Sequence, residues 1–278
     1  MNPQNTIILG NGYVSSAYQK RGYWALPNSE FYYNGHNFET LIPHLIPFDN
    51  IVNCVAKADT NWTEDPANFG ELWRTNVEFV KHLSEYCEYT KKKFVHISTT
   101  DLYGNLHDVD INVETRRDLD LNTDYRFSKF ASERVCNAQD LILRIRLPFD
   151  DQLNTRNLLV KLTKFRKFFH LSTDVTYLPD LVSATEILVK EKQQGIFNIV
   201  SEDSTSMLYI ARNLLELPAA KTLDPHYPDE NIVLDFDQKH VNNIASIGKL
   251  LKFYKPVELE STIINCYNTL LTKGLTIV

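Results

Sequence analysis

Thr6-Ile7-Ile8-Leu9-Gly10-Asn11-Gly12-Tyr13-Val14-Ser15-Ser16-Ala17 passes from a short apolar, β-branched run through two glycines into a helical pattern. Strand, glycine turn and helix in that order are the setting of a dinucleotide-binding turn, with Ser15 in the third-glycine place, where a small residue suffices. The glycines let the backbone approach a pyrophosphate at a helix N-terminus, whose free N–H groups favour an anion. An ordinary βα turn is the plainer reading of the same residues, and only the rest of the chain separates the two.

The rest of the chain reads as an open parallel α/β sheet. Asn50-Ile51-Val52-Asn53-Cys54-Val55-Ala56 is a continuous apolar run, the mark of a strand covered on both faces. Ala56 and Ala58 leave room for a ligand at its carboxyl end. From Gly70 to Tyr89, the residues Leu72, Trp73, Val77, Val80, Leu83 and Tyr86 keep helical spacing. A second strand is expected over Glu30-Phe31-Tyr32-Tyr33-Asn34, another over Phe94–Thr99, and another over Leu141–Arg146. Carboxyl ends of such strands line the ligand crevice, so Thr99, Thr100 and Asp101 are candidates for polar work. Capping and turn hydrogen bonds use the same residue types.

Asp124-Tyr125-Arg126-Phe127-Ser128-Lys129-Phe130-Ala131-Ser132-Glu133 follows as a helix. Tyr125 and Lys129 are four apart and share a face. An ammonium beside a phenol favours the phenolate and lowers the tyrosine pKa from about 10, as an acid or base catalyst needs. A packed Tyr beside an exposed Lys is the bland alternative. Tyr89 and Lys93 have the same spacing, but they straddle a helix end and a strand start and need not share a face.

At 278 residues, with 43% hydrophobic and 23% charged residues, the chain has room for a sizeable core. A net charge of −6 argues against a dedicated nucleic-acid or membrane-surface binder. No apolar run approaches membrane length, and Cys54, Cys87, Cys136 and Cys266 form no C-x-x-C pair or zinc spacing. A cytoplasmic protein with reduced thiols and no metal is the expectation.

Beyond Pro148 the alternation loosens. Asn157–Phe169 reads as a basic helix with Lys161, Lys164, Arg166 and Lys167 after Arg156, either a diphosphate patch or a solvated face. A strand near Asp174–Leu178, a helix over Ser183–Lys192, a strand over Gly195–Val200, a helix over Ser206–Leu217, a loop-rich stretch to Asp235 and a closing helix from Val257 follow. The division expected is a dinucleotide-binding domain over 1–147, to which 174–203 return, and a substrate lobe of 148–173 and 204–278.

The glycine turn, Ser98-Thr99 at a strand end and Tyr125-x-x-x-Lys129 on the next helix together resemble the extended short-chain dehydrogenase/reductase family. Leu143–Pro148, Thr155-Arg156-Asn157 and Gly195–Asn198 are similar to segments of nucleotide-rhamnose synthases and dTDP-4-dehydrorhamnose reductases. The resemblance implies a Rossmann-type doubly wound α/β sheet with a smaller, interleaved C-terminal substrate lobe. It implies reduction of a nucleotide-linked 4-keto-6-deoxy sugar with NADP or NAD, in a chain that in this family can be a homodimer. In its terms Tyr125 is the proton donor, Lys129 holds the nicotinamide ribose, and Thr99 bonds the keto oxygen. Gly10, Asn11, Gly12, Tyr13, Val14, His36, Ala56 and Lys57 line the cofactor; Thr100, Arg156 and Asn157 lie near the sugar nucleotide. Three positions depart from the family. Leu9 replaces its first glycine, His36 an arginine that would suit NADP, and Asp101 a cysteine linked to epimerisation. An epimerase or combined epimerase/reductase using Asp101 therefore stays open, as does a non-catalytic cofactor sensor.

Overall fold

β1 (Thr6–Leu9) and β3 (Asn50–Asn53) lie side by side at the point where the sheet changes direction. The computed structural model describes residues 1–30, 33–103, 119–165, 168–169, 171–221, 232–233 and 244–277. With β2 (Trp24–Leu26), β4 (Lys93–Thr99), β5 (Leu141–Ile145) and β6 (Gly195–Asn198), the strands form one 6-stranded parallel sheet in the order β2-β1-β3-β4-β5-β6. The chain leaves β1 to one side for β2 and returns on the other for β3. That reversal opens a crevice at their carboxyl ends, where Gly10 and Cys54–Lys57 follow.

Side chains alternate between two faces, as the strand period requires. Ile8, Val52, Val95, Ile97 and Leu143 pack on one side with Leu181 and Leu188 of the Leu178–Lys190 helix. Ile7, Leu9, Ile51 and Phe94 pack on the other against Phe79, Val80 and Leu83. Both faces are therefore covered, which is why β1 and β3 carry no outward polar alternation. The Rossmann-type sheet read from the sequence is thus what the chain forms.

The second strand lies earlier than expected. Gly22, at φ 86, turns the chain out of the Tyr13–Lys20 helix, and Trp24 already pairs with Ile7. β2 stops at Leu26, before Pro27, which has no N–H to donate. Of the segment expected to be this strand, Glu30 ends the 3-10 turn Asn28–Glu30, residues 31 and 32 lie outside the described set, and Tyr33 packs on Phe79.

The helix expected over Gly70–Tyr89 runs from Phe69 to Thr90, with a π turn at Arg74–Glu78. The basic helix expected over Asn157–Phe169 is shorter: only Leu158–Leu162 is helical, and Phe168–Phe169 is extended. Its burying residues, Leu158, Leu159 and Leu162, end there, while Arg166 and Lys167 lie outside the described set. Most of the loop-rich stretch to Asp235 does too. The Leu158–Leu162 helix joins Phe149, Leu208, Ile210, Ile263 and Leu270 in a separate apolar cluster that includes the closing Leu259–Thr272 helix. Among the described residues, no helix is long and apolar enough to cross a membrane.

Candidate active site

Thr99 ends β4, and Tyr125 stands in the first turn of the Asp124–Arg134 helix that follows. The Thr99 hydroxyl acts on the phenol in the direction that favours the phenolate. Thr123 caps this helix by accepting the Arg126 N–H at 3.2 Å. From the loop after β3, Glu64 accepts the N–H groups of Asp124 and Tyr125 at 3.2 and 3.3 Å. A carboxylate at a helix N-terminus is favoured by the free N–H groups and the helix dipole. Nothing in the local sequence signals Glu64, because it reaches the helix across about sixty residues.

The helix face that covers the sheet is polar, with Ser128, Lys129, Ser132 and Glu133 all buried. Three contacts tie it to β4: Lys129 Nζ donates to the Ile97 carbonyl at 2.8 Å, Ser132 Oγ meets His96 Nε2 at 3.0 Å, and Ser98 Oγ donates to Glu133 at 2.5 Å. Glu133 also forms a bidentate pair with Arg144 of β5, at 2.8 and 2.5 Å, beneath the Tyr103 ring. Removing one partner strands the other charge in the interior. Glu133→Met is therefore expected to cost about 3–5 kcal/mol in urea denaturation; a loss under about 1 kcal/mol would show that the pair is not effectively buried.

Lys129 is 2% exposed, so the bland reading of a solvated lysine does not hold. Burial lowers its pKa from 10.5 to about 8, against the pull of Glu133. Ser132 Oγ already donates to the Lys129 carbonyl at 2.6 Å, so His96 Nε2–H is assigned as donor to Ser132, leaving Nδ1 towards the Asn53 amide. Burial, then the nearby Lys129, holds His96 well below its usual pKa, hence neutral. Lys129 Nζ, 3.3 Å from Nε2, thus has one firm acceptor, the Ile97 carbonyl. Two of its three N–H groups remain for a ligand, a donor set suited to ribose hydroxyls.

The expected lowering of the Tyr125 pKa by Lys129 is not found. Burial raises it, the Asp101 carboxylate adds to that rise, and Thr99 and Arg146 oppose it. The lysine is turned down to the β4 carbonyl, and the charges facing the phenol come from other elements. Asp101 pairs closely with Arg146, which follows β5. Arg146 is a site residue that the sequence reading passed over within a strand.

The glycine turn suits a pyrophosphate. Gly10 has φ 97, a conformation that L side chains rarely adopt, and its N–H is bonded to the Leu26 carbonyl at 2.9 Å. A Cβ added to Gly12 would meet nothing within 4 Å, so open space lies against the start of the Tyr13–Lys20 helix. Ser15 is buried and donates to the Gly12 carbonyl at 2.8 Å, the close helix packing for which a small residue is needed. Exposed Asn11 and half-buried Val14 flank this turn. Tyr13 points elsewhere, donating to buried Asp150 at 2.8 Å.

Ala56 and Lys57 follow β3. Asn76, in the π turn, accepts the Lys57 N–H at 2.8 Å and donates to the Lys57 carbonyl and to Ser128 Oγ, each at 3.0 Å. A π turn at such a junction is a common feature of functional sites. The Lys57 ammonium itself pairs with Glu71 at 2.6 Å over the Trp62 ring. His36 ends no strand. It is exposed and lines a cavity of about 390 Å³ with Asn34, Gly35, Trp73, Arg74 and Glu78.

Thr100 is buried in the turn after β4. Arg156 is exposed. Asn157, expected near the sugar nucleotide, is fully buried: its carbonyl caps the Leu158–Leu162 helix and its amide donates to the Asp150 and Gln152 carbonyls at 2.8 and 2.9 Å. Its side chain shapes the loop and has no carbonyl lone pair turned to a ligand.

A parallel sheet with a switch-point glycine turn at its carboxyl edge defines a Rossmann-type α/β protein. Residues 34–141 match the model of the NAD dependent epimerase/dehydratase family, which bears out the resemblance read from the motifs. No curated protein matches the sequence. The fold is shared with solved structures of low identity. A Bacillus anthracis dTDP-4-dehydrorhamnose reductase in complex with NADP is 14% identical, with a TM-score of 0.76 over 96% of this chain and 99% of that one. The UDP-rhamnose synthase of Acanthamoeba polyphaga mimivirus is 16% identical, with a TM-score of 0.75 over 95% and 99%. A Bordetella bronchiseptica enzyme in complex with NAD and UDP is 16% identical, with a TM-score of 0.76 over 99% and 97%.

Proposed function

We propose that this chain is an NAD(P)H-dependent reductase of a nucleotide-linked 4-keto-6-deoxy sugar. The observation that carries the reading is the placing of Thr99 at the end of β4 and Tyr125 in the first turn of the helix that follows, with Lys129 buried one helical turn away and offering two N–H groups to a ligand. Neighbours of the same fold bind NADP or NAD and include a dTDP-4-dehydrorhamnose reductase and a UDP-rhamnose synthase.

When bound, reduced nicotinamide supplies a hydride to the keto carbon. Tyr125 gives its phenolic proton to the keto oxygen, so that one C–H and one O–H bond form as the carbonyl becomes an alcohol. Thr99 Oγ1 accepts the Asp101 N–H at 3.1 Å, which leaves its own proton to be donated to Tyr125 or to the substrate oxygen. A donor aimed at the developing oxyanion lowers the barrier. Lys129 holds the ribose hydroxyls and so sets the depth of the nicotinamide ring. Gly10 and Gly12 admit the pyrophosphate, and a phenol kept protonated by burial suits an acid in the reducing direction.

The test is purified protein with NADPH or NADH and a panel of dTDP-, UDP- and GDP-linked 4-keto-6-deoxy sugars. Oxidation of the cofactor at 340 nm, with the matching 6-deoxy sugar nucleotide as product, is expected. Folded protein that oxidises neither cofactor with any of them contradicts the reading.

A further inference from the structure

Resting on the function proposed above, we propose that Asp101 and Arg146 form a positioning pair that sets the direction of the Thr99 hydroxyl beside Tyr125. Asp101 lies in the 3-10 turn Thr100–Tyr103 directly after β4, with a side chain 34% exposed. Arg146 follows β5, with a side chain only 9% exposed. They meet in a close ion pair, Nη1 to Oδ1.

The guanidinium is aimed by groups outside the pair. Its Nε donates to Thr173 Oγ1 at 2.6 Å. The Arg146 backbone is held on both sides by Thr176, whose hydroxyl accepts the Arg146 N–H at 2.9 Å and whose own N–H donates to the Arg146 carbonyl at 2.7 Å. Asp101 then passes the constraint on, because its N–H donates to Thr99 Oγ1 at 3.1 Å and fixes which way the Thr99 hydroxyl can point. The contacts run Thr173, Arg146, Asp101, Thr99, from the segment before the Leu178–Lys190 helix to the end of β4.

One oxygen of the Asp101 carboxylate is tethered to a largely buried cation. Charge-assisted pairs to guanidinium are the stronger and more directional hydrogen bonds. Asp101 therefore acts through Thr99 as a positioning residue.

Two readouts separate this inference from the function it rests on. In the free protein, amide hydrogen exchange over residues 99–103 is expected to quicken about tenfold in Arg146→Met and in Asp101→Asn, while exchange elsewhere in β4 holds. In turnover, each variant is expected to lose about tenfold in kcat with KM changed less than about twofold, the double variant to lose no more than either, and Arg146→Lys to recover most of the loss. Unchanged exchange over 99–103 in a folded variant overturns the positioning role even if no substrate is found. Altered exchange with no turnover of any ketosugar by the wild type leaves the pair standing and overturns the function instead.

Discussion

Tyr125→Phe is expected to lower kcat for ketosugar reduction by about 10²–10⁴-fold while leaving the urea midpoint nearly unchanged. The ring keeps its place in the first turn of its helix, and only the hydroxyl is lost. Cofactor binding is expected to persist, because Lys129 and the glycine turn do not depend on that hydroxyl. Titration of intrinsic fluorescence with NADPH and steady-state kinetics check the two halves. Turnover within about threefold of wild type would remove Tyr125 as the proton donor.

Lys129→Met is expected to act in opposite directions on stability and activity. Displacement of the lysine pKa from 10.5 to about 8 corresponds to about 3 kcal/mol, at 1.36 kcal/mol per pH unit. The Ile97 carbonyl loses its donor, a cost of about 1 kcal/mol, so the variant should be about 2 kcal/mol more stable at pH 7 without cofactor. The folded lysine binds its proton less tightly than the unfolded one. Between about pH 8 and 10.5 the unfolded chain therefore holds more protons, and the lysine's contribution to wild-type stability rises with pH across that window. At pH 7 the burial penalty is felt in full, and above 10.5 it is gone. The advantage of the variant should accordingly shrink between pH 7 and pH 10, measured by urea denaturation. Activity with NAD(P)H should fall by at least about tenfold. A variant less stable than wild type at pH 7 would show that the ammonium is not penalised in the fold.

Such a trade is what a ligand-binding lysine in an apolar fold leads one to expect. Ser128, Lys129, Ser132 and Glu133 occupy helix positions where an ordinary covering helix would place Leu or Val. The cost is offset by exact partners on the strands below, His96, Ser98 and Arg144, none of which reads as functional from its own strand.

Much of this could be read without coordinates, because the decisive patterns were local. A β-branched run before Gly10 and Gly12, a continuous apolar run at Asn50–Ala56, a strand pattern at Phe94–Thr99, and Tyr125 four residues before Lys129 each depend on backbone geometry within a dozen residues. Short elements were less legible. The three-residue β2 has too few side chains to show a period, and its place followed from the turn at Gly22 and its pairing with β1. The basic residues after Asn157 suggested a longer helix, since charge continues past Leu162 where the helix ends and the chain goes on to the extended Phe168–Phe169.

The sequence by itself determined the parallel α/β class, the glycine turn and the trio Thr99, Tyr125 and Lys129, because strand and helix periods and turn chemistry are written in neighbouring residues. Only the tertiary structure decided what these groups do to one another. It turned Lys129 onto the Ile97 carbonyl, set Asp101 and Arg146 at the phenol, brought Glu64 to the helix N-terminus, and committed Asn157 to a cap. Charges and hydrogen bonds act over a few ångströms in space, and the partners in the first three of these contacts lie 32, 45 and 61 residues apart in the chain.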